Sequence, residues 1–169
     1  MNTIQNKYYF QALDNFPYNM EDTMEALNYA LSYDPNQADC LCLLARVYAE
    51  VLNDYTTAKE YFERAMASNL HCISLYPPYI ECLLWNEDFQ EAEKLIHFAL
   101  TVKGVDKAAI YNKKSLWYEY QRDYKNALKA IDEARLHTYT QSFMSHLDDR
   151  AKLIKQKEKK VNKKQRNSK

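Results

Sequence analysis

The four cysteines and four histidines are the side chains here with the widest chemical reach, and zinc is the first chemistry to test. Cys40, Cys42, His71 and Cys72 fall in one half of the chain. Structural zinc sites use ligands paired two to four residues apart that converge on one point. A Cys-x-Cys pair on a helix sends its two thiols about 200° apart, so this set does not fit. His97, His137 and His146 stand apart in sequence. No serine or cysteine sits in a recognisable nucleophile motif. The acid pairs Glu87-Asp88 and Asp148-Asp149 fall where helices start, and the helix dipole accounts for them. The expectation is a chain with no metal, no cofactor and no catalytic residue, hence not an enzyme.

Glycine narrows the choice further. Gly104 is the single glycine among 169 residues, and there are only four prolines. Phosphate-cradling loops and tight hairpins need several glycines, so P-loop, dinucleotide-binding and most β-rich readings fall away. What remains is helices joined by short turns. The opening residues contain no apolar run resembling a leader, and no stretch approaches the roughly 18 apolar residues of a membrane span. Cysteines this sparse are expected to stay reduced, so the sequence points to the cytoplasm.

Four segments then prove to be copies of one another: residues 22–30, 54–65, 88–99 and 123–134. Superposing them aligns Thr23, Ala58, Ala92 and Ala127, then Leu27, Phe62, Ile96 and Ile131, then Ala30, Ala65, Ala99 and Ala134. Every column steps by 35, 34 and 35 residues. Within a copy the columns stand four and three residues apart, which is one face of a helix, and the spacing predicts helices over 22–31, 56–67, 89–101 and 124–136. Small residues at the outer columns let two helices approach, and the large residue between them fills the gap. Asp54-Tyr55, Asp88-Phe89 and Asp123-Tyr124 supply a capping oxygen and a packing aromatic. A second apolar helix precedes each, with Leu41, Leu44, Ala45 and Tyr48 in the second copy and Tyr111, Ser115 and Tyr118 in the fourth. An extra residue sits near Val51-Leu52, and Tyr76-Pro77-Pro78-Tyr79 opens a shortened helix in the third copy.

These features resemble the tetratricopeptide-repeat (TPR) family over roughly residues 3–137. The first helix of a copy has a large, large-small, tyrosine pattern, the second has alanine, large, alanine, and Asp34-Pro35-Asn36 matches the family's repeat ending. The resemblance implies an all-α, right-handed solenoid of antiparallel helix pairs. About four pairs span 1–139, a capping helix covers 140–158, and a basic tail at 159–169 frays into disorder. It also implies a concave wall made from the first helices. Carried onto this chain, its ligand-facing positions are Cys42, Arg46, Ala49 and Glu50, then Pro77, Glu81, Leu84 and Trp85, then Asn112, Leu116, Glu119 and Tyr120. The strongest candidates are Arg46, Glu50, Glu81, Trp85, Asn112, Glu119 and Tyr120. Their acidic and aromatic character suits a peptide with basic and apolar groups. The carboxylate grip of one family subtype, made with Lys and Asn, does not fit.

Zero net charge conceals a division. Residues 1–149 carry 13 Lys/Arg against 22 Asp/Glu, whereas 150–169 carry ten Lys/Arg against Glu158 alone. Lys155, Lys157, Lys159, Lys160, Lys163, Lys164 and Arg166 form the basic tail. Several of the fifteen tyrosines, Tyr48, Tyr55, Tyr118 and Tyr124, already occupy packing columns, and Tyr29, Tyr33, Tyr120 and Tyr139 remain as candidate surface aromatics. The reading is therefore a non-catalytic adaptor or scaffold for a protein or peptide. Nucleic-acid binding through the tail is the second reading, opposed by the acidic body, and a regulatory subunit of a catalytic partner is the third.

Overall fold

A computed structural model describes the backbone of residues 3–167 and the side chains of 7–163. Helices and turns account for it, with no strand among the described residues. The chain divides into two compact units, Met1–Asp88 and Phe89–Lys169. The first contains α1 (Thr3–Asn15), α2 (Met20–Tyr33), α3 (Ala38–Arg46, continued by a π-helical turn over Val47–Val51), α4 (Tyr55–Ser68) and α5 (Tyr76–Trp85), which a 3-10 turn over Ile73–Leu75 introduces. The second contains α6 (Phe89–Ala99), α7 (Lys107–Tyr120), α8 (Tyr124–Leu136) and α9 (Gln141–Asn167).

Helices α2, α4, α6 and α8 are the four expected from the repeat. Only α6 falls short, ending at Ala99 where Leu100 and Thr101 form a turn. All twelve column residues are at most 1% exposed, including the polar Thr23, whose hydroxyl donates to the Asn19 carbonyl at 2.6 Å. Burying each large member contributes about 1.5–3 kcal/mol, which outweighs the modest helix propensities of these short segments. In unit 1, α1 packs on α2 and α3 on α4, and in unit 2, α7 packs on α8.

The turns before α4, α6 and α8 are also a repeat. Asn53, Glu87 and Arg122 take left-handed φ of 54°, 61° and 61°, and the aspartate after each opens the next helix. Asp54 and Asp123 accept from the amides of Thr57 and Asn126, each at 3.1 Å. At Asp54 the Thr57 side chain first, and then its amide, favours the ionised carboxylate and holds it below the ordinary aspartate range. Asp88 is spent differently, on Asn86 at 2.9 Å and Lys59 at 3.3 Å.

The extra residue of the second copy has a clear destination. The Asp88 and Asp123 amides bond back five residues, to Leu83 and Tyr118, but Asp54 bonds back six, to Tyr48. The π-helical turn over Val47–Val51 absorbs the insertion, so α4 still starts in register.

The last helix differs most from expectation. α9 lays Leu147, Ala151 and Ile154 on Ala127, Ile131 and Ala134 of α8, covering the face a further repeat would cover. It then continues as helix to Asn167, through the stretch expected to fray. Its Lys, Gln and Glu residues are good helix formers, and lysines near a C-terminus complement the dipole.

Candidate functional site

The expected site residues sit on the first helices of their pairs, and they divide by unit. In unit 1, Arg46 and Glu50 pair one turn apart, Nε to Oε1 at 2.7 Å and Nη2 to Oε2 at 3.3 Å, a two-pronged contact. The same guanidinium lies 4.7 Å over the Phe16 ring. Glu81 and Trp85 are half-buried on α5. Three positions carried over from the family face inward instead: Cys42, Ala49 and Leu84 are all buried and serve packing.

Trp85 also has a structural role. Its ring meets Tyr55, the first residue of α4, with centroids 6.0 Å apart at 42°. Tyr120 repeats this in unit 2, meeting Phe89, the first residue of α6, at 5.6 Å and 42°. The same two aromatics accept on their carbonyls from residues at one repeat position. Cys82 Sγ lies 3.8 Å from the Tyr55 oxygen, and Trp117 Nε1 donates to the Phe89 oxygen at 2.8 Å. Tyr55 and Phe89, the aromatics that open α4 and α6, are therefore where α5 and α7 are fastened. Tyr120 keeps much of its ring in solvent and Trp85 a smaller part.

Unit 2 departs further from expectation. Asn112 is half-buried on α7, and its Oδ1 is buried without a hydrogen-bond partner, as is Ser115 Oγ. Glu119 is not an open acid. Its side chain is 4% exposed, and both oxygens are taken by cations of α9: Arg150 Nη2 on Oε1, and Lys157 Nζ on Oε2 at 2.8 Å. A basic ligand would have to displace the chain's own cations there.

The tail residues consequently separate. Lys157 is engaged with Glu119, whereas Lys155, Lys159, Lys160 and Lys163 are exposed. The side chains of Lys164 and Arg166 lie outside the described residues.

The thiols are all buried. Burial, reinforced by the nearby Asp39, pushes Cys40 up to about 12. Burial likewise raises Cys42 and Cys82 to about 12. Such thiols are poor nucleophiles and poor metal ligands. Among the described residues, no three His, Cys, Asp or Glu side chains gather as a metal site. A recess of about 400 Å³ lies where the start of α7 meets the α8–α9 connection, lined by Asp106, Lys107, His137, Tyr139 and Phe143 among others. Its members are scattered over 39 positions, and no sequence signal marked it. Asp106 is occupied there as the cap of α7, accepting from Ala109 at 3.1 Å.

No protein-family model and no curated protein matches this sequence. Solved structures do match. PilF of Pseudomonas aeruginosa superposes with a TM-score of 0.74 at 20% identity, over 93% of this chain and 76% of that one. A thermophilic TPR protein of Thermus thermophilus gives 0.73 at 15% identity, over 86% and 80%. The chain has the all-helical TPR-like repeat fold. No helix among the described residues is long and apolar enough to cross a membrane.

Proposed function

We propose that this chain is a non-catalytic protein-interaction module, an adaptor or scaffold, that holds a peptide or protein partner against the first helices of its pairs. One observation carries the reading. The ends of α5 and α7 present aromatic rings, Trp85 and Tyr120, at the same repeat position, each braced from behind by another aromatic. A braced ring loses little freedom when a ligand packs on its open side, which makes it a good anchor.

An acidic group beside Trp85 sets the partner's character. Glu81 stands one turn before Trp85 on α5, and Glu50 holds one face of the Arg46 pair. Glu81 suits a segment with basic and apolar side chains, whereas Glu50, like Glu119, already has both oxygens on a cation of the chain. In unit 2, Glu119 is open to a partner only if Lys157 yields.

The test starts with affinity capture by the full chain and identification of what it retains. Trp85→Ala and Tyr120→Ala should then each weaken binding about thirtyfold, the roughly 2 kcal/mol expected of an aromatic anchor. Glu81→Lys should slow association in a salt-dependent way. Circular dichroism must show each variant folded, because both rings also brace their neighbours. Wild-type affinity in all three folded variants would remove the proposal.

A further inference from the structure

Four of the α9 lysines that the Glu119 contact does not use fall on one line. Lys152, Lys155, Lys159 and Lys163 are all exposed, and at 3.6 residues per turn they occupy an arc of about 80°. Arg150 and Lys157 project from the opposite side of the same helix, where they grip Glu119. Leu147, Ala151 and Ile154 fix a third side on α8. Two anchored sides set the rotation of the helix, and the lysine line is thereby turned to solvent. Past Ile154 no side chain of the described helix is fully buried, so the line runs beyond the packed core. Asp148, in line with it one turn earlier, is tied up by Arg135 at 2.7 Å. The pair between Lys152 and Asp149, at 3.0 Å, is so exposed that it scarcely restrains Lys152.

We infer that this edge of α9 binds the phosphate backbone of a nucleic-acid duplex, independently of the partner surface proposed above. The chemistry of the line selects the ligand. A protein interface needs an apolar or aromatic centre, and an interfacial membrane helix needs an apolar face beside its lysines. Gln156 and Asp149 flank this line, and its arc holds no aromatic ring on which an unpaired base could stack. A regular polyanion needs only evenly placed cations. The line is about 16 Å long at 1.5 Å per residue. That length of duplex carries roughly ten phosphates, of which three or four would be neutralised.

The experiment uses the full chain and a fluorescein-labelled 20-base-pair DNA duplex of arbitrary sequence, read by anisotropy. Three or four neutralised phosphates predict a log–log salt slope of about −3, which is a roughly fifty- to hundredfold loss of affinity between 50 and 200 mM salt. Lys155→Glu with Lys159→Glu should cost at least about tenfold. The charge-matched pair Lys94→Glu with Lys103→Glu, both exposed in unit 2 and neither on α9, should change affinity less than about twofold. Phosphatidylserine vesicles and polyglutamate serve as the rival anionic surfaces. Absence of duplex binding at 50 mM salt, equal losses in the two double variants, or tighter binding to vesicles or polyglutamate would each overturn the inference.

Discussion

Replacing Glu119 by Gln perturbs the contact that holds α9 along α7. Its carboxylate is 4% exposed and faces two cations, Arg150 at 18% and Lys157 at 45%. Removing one partner of a fully buried ion pair costs about 3–5 kcal/mol. Lys157 can swing into water and Gln still accepts a hydrogen bond, so the expected loss is smaller, about 2 kcal/mol. For a chain of this size that lowers Tm by about 4–8 °C. Glu50→Gln is the internal comparison. Its pair with Arg46 is one turn apart with both side chains about one-third exposed, so it should cost about 0.5 kcal/mol. Thermal and urea unfolding of both variants give the two values, and amide exchange should show faster opening in α9 for Glu119→Gln alone. If Glu119→Gln costs no more than Glu50→Gln, the buried contact does not secure the last helix.

Glu87→Gly and Arg122→Gly should each raise stability by about 0.5 kcal/mol, because the left-handed backbone strains a side chain by more than glycine's extra unfolded-state entropy costs. Asn53→Gly should be nearly neutral, since asparagine tolerates that conformation, and thermal melts in which all three variants lose stability would refute the turn assignment. The native protein should show no fast-reacting thiol toward a disulfide reagent at pH 8 and all four in denaturant, and any thiol titrating at once in the native state would contradict the burial described.

The fold was legible because its signal was local and periodic. Ala58, Phe62 and Ala65 lie within two turns of one helix, and the same triplet recurs three more times. Even the extra residue near Val51 was visible, although only the six-residue step from Asp54 to Tyr48 shows that a π-helical turn absorbs it. The candidate site was less legible because its deciding contacts are distant. The cations on Glu119 stand 31 and 38 residues away, on a helix whose bases looked like a solvated tail. The bracing of Trp85 and Tyr120 left a trace that went unread: Tyr55 and Phe89 recur at nearly the same step as the rings they meet. Residues 155–167 have no apolar stripe, but their composition still favours helix.

The central claim is that a partner lies against the ends of the first-position helices, and photo-crosslinking from defined positions tests it most directly. A photoreactive residue would be placed at 81 or 120, on α5 and α7, or at the exposed positions 60 and 133 on α4 and α8. The partner retained by the full chain would then be irradiated in complex with each form. Crosslinks from 81 and 120, with none from 60 and 133, are the predicted result. Crosslinks confined to 60 and 133 would contradict the account.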